Sequence, residues 1–266
     1  MADPQPRQAV TTTVFGSHAE MLDRTFTSFA VNPDLELHAF VIGEALPEKQ
    51  AAGVNYHLVR PQHTFSLIYR EVNYRRWEVI DQLGVDYVAV VDGIDVLCLQ
   101  RLPPLREILN GSHVAAAVEH NGGRFMFGPQ YTATYLNAGV SFWDLQASRD
   151  IRAEILERGR TRFRSKSDDQ HTFNEVLHRH FGRLRVLTYH YNCRAVLKPR
   201  AERWPRITSL DGVRIYHTDD IDAAKSMMPV KPVAELEQLE PDPGPLTPRQ
   251  QFWRNLRNRF RPHRVK

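Results

Sequence analysis

The chain has 266 residues, 42% of them apolar and 25% charged, which is enough for a full hydrophobic core and is the composition of an ordinary globular protein. Its two cysteines, Cys98 and Cys193, show no Cys-x-x-Cys spacing, which excludes a disulfide framework and favours a reducing compartment. The net charge of +4 is unevenly spread: Thr247 to Lys266 holds seven Arg or Lys residues and no acid, while Glu235 to Asp242 is acidic.

Residues 1–9 are expected to form a disordered leader, and they lack the apolar stretch of a signal peptide. No apolar run approaches the roughly 20 residues that span a bilayer, so a cytoplasmic protein is expected. Val10 to Phe15 predicts a first strand ending at Gly16-Ser17. His18 to Ala30 predicts a helix, with Met21, Leu22, Phe26 and Phe29 on one face. Leu35 to Ile42 and Val54 to Val59 predict two further strands, and Leu67 to Leu83 a long helix rich in Tyr and Arg. Tyr87 to Val91 is a β-branched run typical of a buried strand. This alternation argues for a mainly parallel sheet covered on both faces.

The second half is less regular. Val114 to Glu119 and Leu136 to Leu145 carry strand patterns, as do the shorter Leu184 to Leu187 and Val213 to His217. Ile151 to Gly159 and Gln170 to Arg179 carry helical ones, and Gly122 to Gly128 has the composition of a loop. Residues 10–228 are expected to be one folded domain. A Pro- and acid-rich linker follows at 229–248 and a basic amphipathic helix at 249–266. In that last segment Phe252, Trp253, Leu256 and Phe260 alternate with arginines, the pattern of an anchor on an anionic membrane surface. Packing on the domain or a nucleic-acid contact is the alternative; no nucleic-acid partner is expected.

The strand Tyr87 to Val91 ends in Asp92 and Asp95, and apolar residues resume at Val96. Two acids in so apolar a setting are costly unless a cation neutralises them. A divalent ion that completes its shell with phosphate oxygens would do so. The plainer alternative is an Asx-type turn with both acids solvated. Gly93, between them, is expected to supply the conformational freedom for a tight bend. Other polar groups fall near strand ends: Phe15-Gly16-Ser17, Asn137-Ala138-Gly139 before a later strand, and His217 at the end of Val213 to His217. Ligands bind at the carboxyl ends of strands in open α/β sheets. Two carboxylates and one histidine would suit Mn²⁺ or Mg²⁺ with phosphate, with Zn²⁺ as a further option.

The order of these segments resembles the GT-A glycosyltransferases, and within them the family-8-like group that includes glycogenin and bacterial lipooligosaccharide galactosyltransferases. That resemblance covers roughly residues 10–225. It rests on Asp92/Asp95, Tyr135-Leu-Asn-Ala-Gly-Val-Ser-Phe-Trp-Asp-Leu145, Asp169-Gln170 and Ile215-Tyr-His217. It implies an α/β, GT-A (Rossmann-like) fold: a mixed, mainly parallel sheet flanked by helices on both faces. It implies Mn²⁺ (or Mg²⁺) held by Asp92, Asp95 and His217, and a UDP-linked sugar donor. Thr12, Thr13 and Phe15 would contact the base, Arg76 the phosphates and Lys225 the diphosphate. Asn137, Asp169 and Gln170 would line the sugar and acceptor site, with Gln170 against the reacting carbon.

The implied activity is transfer of a hexose to a glycan, lipid or other hydroxyl acceptor with retention of configuration, by same-face substitution. Two departures from the family stand out. The acids are spaced Asp-x-x-Asp rather than Asp-x-Asp, as in the glycosyltransferase domains of collagen lysyl hydroxylases. The Gly-x-Lys-Pro after the late histidine is replaced by Thr218 to Lys225, which adds Asp219, Asp220 and Asp222. A non-catalytic nucleotide-sugar-binding module is the main alternative. A sugar-phosphate nucleotidyltransferase ranks lower, because Phe15-Gly-Ser-His18 is not a Gly-rich phosphate loop with a basic residue.

Overall fold

Val88 and Val90 of the central strand face one side of the sheet, Ala89 and Val91 the other, and all four are at most 1% exposed. A strand buried on both faces must be covered by helices on both, and the molecule is built that way. The computed structural model describes residues 5–62, 68–118, 135–161, 168–194 and 212–217.

The main sheet has seven strands. In chain order they are β1 (Gln8–Phe15), β2 (Glu36–Ile42), β3 (Val54–Val59), β4 (Tyr87–Val91), β6 (Val114–Val118), β7 (Leu136–Asp144) and β8 (Leu184–Leu187). Their spatial order is β3-β2-β1-β4-β7-β6-β8. β7 runs antiparallel to both of its neighbours, and the remaining pairings are parallel. Two short strands, β5 (Val96–Cys98) and β9 (Ile215–His217), form a separate antiparallel ribbon. The expected mixed, mainly parallel sheet with helices on both faces is therefore the fold observed.

The helices are α1 (Gly16–Ala19), α2 (Asp23–Phe29), α3 (Ile68–Val79), α4 (Leu105–Leu109), α5 (Arg149–Thr161) and α6 (Asp168–Arg179). Helices α3, α5 and α6 bury Tyr74, Trp77, Ile151, Ile155, Phe173 and Leu177 against one face. Helices α2 and α4 bury Phe26, Phe29, Leu105 and Ile108 against the other. One aromatic cluster sets the position of the later site. The ring of Trp77 stacks on Phe173 at 5.5 Å between centroids, and both meet Trp143 edge-on or tilted, at 6.2 and 6.5 Å. Such rings contribute about 0.5–1.5 kcal/mol per pair beyond their burial. Because Arg76 adjoins Trp77 and Asp169 lies one turn before Phe173, the cluster fixes those two polar side chains relative to each other.

Several expectations are corrected. The helix expected over His18 to Ala30 is two short helices separated by a turn, and Leu22 lies in that turn, fully buried. Asn137, Ala138 and Gly139 lie inside β7 rather than ahead of a strand. His217 ends a strand of the ribbon, not of the main sheet. β1 begins at Gln8, within the segment expected to be a leader, and the Arg7 backbone N–H already donates to Asp86 at 2.8 Å. The linker 229–248, the basic segment 249–266, Lys225, the acids Asp219, Asp220 and Asp222, and the loop at 122–128 lie outside the described residues.

Candidate functional site

Because β7 runs against β4, its amino-terminal end lies beside the carboxyl end of β4, with Val91 opposite Val140. The Asp92 N–H continues the ladder by donating to Gly139 O at 2.7 Å. The chain then turns through Gly93 and Ile94 to Asp95 and enters β5. Gly93 is not among the glycines with positive φ, so backbone freedom is not why glycine stands there. A Cβ at 93 would collide with the Val14 side chain and press on Thr12 Oγ1 and Leu22. The Thr25 hydroxyl also donates to Gly93 O at 2.9 Å. Glycine is needed because the turn lies directly on β1 and α2.

The β5–β9 register sets Val96 opposite His217 and so brings the histidine beside Asp95. His217 Nε2 lies 3.5 Å from Asp92 Oδ2 and 3.4 Å from Asp95 Oδ2. One ligand atom from each of the three residues falls within a 4.8 Å cluster. The Asp-x-x-Asp spacing thus brings both carboxylates to one point. The imidazole is 1% exposed, while the Asp92 and Asp95 side chains are 34% and 25% exposed, so the cluster opens outward through the acids. Nε2 is buried and has no hydrogen-bond partner among the described residues. A Cβ at residue 139 would strike Asp92 Oδ2, His217 Cε1 and Asn137 Oδ1, so only glycine leaves the space between them free. An orphaned buried nitrogen, two carboxylate oxygens and a cradle that a single methyl would fill together suit a divalent cation of the Mn²⁺ or Mg²⁺ type.

Arg76 joins this cluster to a third acid. Its Nη1 donates to Asp92 Oδ1 at 2.6 Å, its Nη2 to Asp169 Oδ2 at 2.9 Å, and its Nε to Asn73 O at 2.9 Å. The guanidinium is only 6% exposed. Burial by itself would raise the pKa of Asp92, but the charges of Arg76, His217 and Arg194 outweigh it and hold the carboxyl below its ordinary value. Asp169 shows the opposite balance. Burial pushes its carboxyl up to about 6, the neighbouring Asp92 charge adds to this, and Arg76 opposes it. Gln170, the next residue, lies with Oε1 3.5 Å from Asn137 Nδ2. Asn174 pins α6 to the start of β7, accepting from Leu136 N at 2.6 Å and donating to Leu136 O at 2.8 Å.

The structure therefore brings together Asp92, Asp95, His217, Arg76, Asp169, Gln170 and Asn137. The residues expected at the base are placed differently. Thr12 and Thr13 sit within β1 at 0% and 6% exposure, their hydroxyls without hydrogen-bond partners among the described residues. Phe15 ends β1 half-buried, with its ring 4.1 Å from that of His18. Two site residues were not anticipated in their roles. Gly139 was singled out only as part of a small-residue turn. Asn192, whose amide lies 2.7 Å from Asn137 Oδ1 and 2.9 Å from His217 Nδ1, carried no signal at all, as a lone amide after Tyr189-His190-Tyr191.

The acid-ended central strand, the single reversed strand and the helices on both faces define a GT-A-like α/β fold. Among solved structures, the crystal structure of the glycosyltransferase GlyE from Streptococcus pneumoniae TIGR4 is similar, with a TM-score of 0.56 and 14% sequence identity. The match covers 88% of this chain but 62% of that one, so the chain spans less than two thirds of its neighbour. No family model and no curated protein matches the sequence. Among the described residues, no helix is long and apolar enough to cross a membrane.

Proposed function

We propose that this chain is a metal-dependent glycosyltransferase that moves a hexose from a UDP-linked donor to a glycan or lipid hydroxyl, with retention. The observation that carries the reading is the convergence of Asp92, Asp95 and His217 around the Gly139 cradle, in a fold shared with a glycosyltransferase. In this reading Asp92, Asp95 and His217 hold Mn²⁺ or Mg²⁺, which supplies Lewis-acid neutralisation of the departing diphosphate. Arg76 keeps Asp92 ionised and oriented, and it couples that ligand to Asp169. Asp169 and Asn137 hold sugar hydroxyls, and Gln170 lies against the reacting carbon. Phe15, at the end of β1, supports the base, with Thr13 and Thr12 behind it. Lys225 is assigned to the diphosphate from the family resemblance alone. Absent a nucleophilic carboxylate among these assignments, retention follows from same-face substitution; NMR of the product anomer checks this, and an inverted product overturns it.

The test is a screen of nucleotide sugars for slow hydrolysis with Mn²⁺ and with EDTA, beside calorimetry of UDP binding with and without Mn²⁺. Mn²⁺-dependent binding and cleavage of one donor is expected. Gly139→Ala should weaken Mn²⁺ binding by about 10–100-fold, since the new methyl would displace Asp92 and His217 from the site. UDP binding that ignores Mn²⁺ would sink the metal reading, and binding without cleavage or transfer would leave a nucleotide-sugar-binding module.

A further inference from the structure

We propose that Asn192 is the positioning residue that decides which nitrogen of His217 faces Asp92 and Asp95. The inference rests on the metal reading above for its purpose, though not for its geometry.

One group at the site has a polarity that is not open to choice. The backbone N–H of Gly139 can only donate, and it lies 2.8 Å from the side-chain atom assigned as Asn137 Oδ1. That atom must therefore be the amide oxygen. The same oxygen lies 2.7 Å from the Asn192 amide, so the Asn192 atom facing it must be the NH₂ donor. The other end of that amide is then its oxygen, 2.9 Å from His217 Nδ1. Nδ1 must carry the hydrogen that this oxygen accepts. In the neutral imidazole Nε2 is left with a lone pair, and Nε2 is the nitrogen that faces the two carboxylates. A lone pair aimed at two anions is unfavourable alone and is what a divalent cation needs.

The relay is buried throughout. Asn137, Asn192 and His217 are each 1% exposed, so water offers no ready substitute partner. Asn192 is also held from both sides of its backbone. The turn Tyr189–Tyr191 precedes it, and Tyr191 packs edge-on against Phe142 at 5.9 Å. Cys193 follows it, donates its N–H to Ile215 O at 2.9 Å and accepts from His217 N at 3.0 Å. The segment 190–193 thus lies along β9, and the amide has one place to go. The outer partner of a metal-bound histidine typically fixes its tautomer and ring orientation in this way. Here the outer partner leads on to Asn137, which lines the proposed sugar site, so ligand and sugar site share one hydrogen-bond chain.

Two variants and two readouts test this. In metal-free protein labelled with ¹⁵N-histidine, at a pH where the ring is neutral, His217 of the wild type should show a protonated Nδ1 and an unprotonated Nε2. Asn192→Leu, which removes both hydrogen bonds, should lose that signature and bind Mn²⁺ about 10–100-fold more weakly in calorimetry. Asn192→Asp, which still accepts from Nδ1 but loses the donor to Asn137 Oδ1, should keep the signature. A neutral wild-type His217 that carries its hydrogen on Nε2 overturns the inference, as does Asn192→Leu with unchanged tautomer and affinity. If Asn192→Leu does not fold, Asn192→Asp decides: loss of the signature overturns the inference and its retention upholds it. A wild type that binds no divalent cation defeats the functional reading, while the tautomer signature still judges the relay by itself.

Discussion

The two ends of the central strands handle charge in opposite ways. At the amino end of β1 and β4, Arg7 meets Glu36 through two parallel hydrogen bonds of 2.9 and 3.0 Å, and its backbone N–H meets Asp86. The Arg7 side chain is 57% exposed, and the hydrogen bond with Glu36 shifts each partner toward its charged form. The Arg7–Glu36 pair there is matched in charge and open to solvent. At the carboxyl end one buried guanidinium serves two acids, a third acid stands near, and a buried imidazole nitrogen has no hydrogen-bond partner among the described residues. Among the described residues, three acids gather at that end around one buried guanidinium that bonds two of them. The contrast teaches that exposed charge at the amino end is matched locally, while at the carboxyl end buried charge is gathered around a site that a cation would complete.

The contrast can be broken most directly at Arg76. Arg76→Leu leaves Asp92 and Asp169 without their shared cation. Denaturation in EDTA should show a loss of about 3–5 kcal/mol, the usual cost of removing one partner from a buried charge cluster. Saturating Mn²⁺ should return part of that loss, because ligand binding to the folded state alone adds stability by mass action. A loss no larger than that of an exposed ion pair would show that the carboxyl end is not electrostatically strained.

Asp169→Asn should act in the other direction and more gently. The folded carboxyl titrates near 6 and the unfolded one in the ordinary range near 3.8. The folded state therefore holds the proton more tightly, so wild-type stability is full below about pH 4 and falls as pH rises toward 6. The amide removes that dependence. At pH 8 the variant should be more stable by about 1–3 kcal/mol, and the gain should fade by pH 4, while sugar transfer drops. Equal destabilisation at every pH would refute the assignment. Arg7→Ala should give the smallest change in melting temperature of the three and none in Mn²⁺ affinity, since exposed pairs are solvated and screened. A change in Mn²⁺ affinity there would mean the two ends are not independent.

The legible parts of this molecule were the local ones. The run from Tyr87 to Val91 and the two acids after it announce a buried strand with a costly end, and the structure bears out that strand and gathers those acids with His217. The parallel half, β1 to β4, follows from alternating strand and helix patterns. The reversal of β7 was not legible, because side-chain periodicity is the same in either direction along a strand. Gly93 and Gly139 were visible as glycines, but their reason was not: each is required by a side chain that arrives from a distant segment. Asn192 was invisible for a related reason. Its role exists only once the segment 190–193 lies along β9, and no local pattern encodes that pairing. β9 was legible within the strand expected over Val213 to His217, but β5 and its pairing with β9 into a separate ribbon were not, because a strand of three residues leaves little alternation to detect.

That ribbon has a mechanical consequence. Two strands of three residues make a weak sheet by themselves. A cation held jointly by Asp92, Asp95 and His217 would act as a cross-link, tying the turn after β4 to a strand far along the chain and closing a long loop between them. Releasing the ion would free the late strand to fray, and fraying of that strand would release the ion. Occupancy of the site and local order of the segment around His217 are then a single equilibrium, viewed from its two ends.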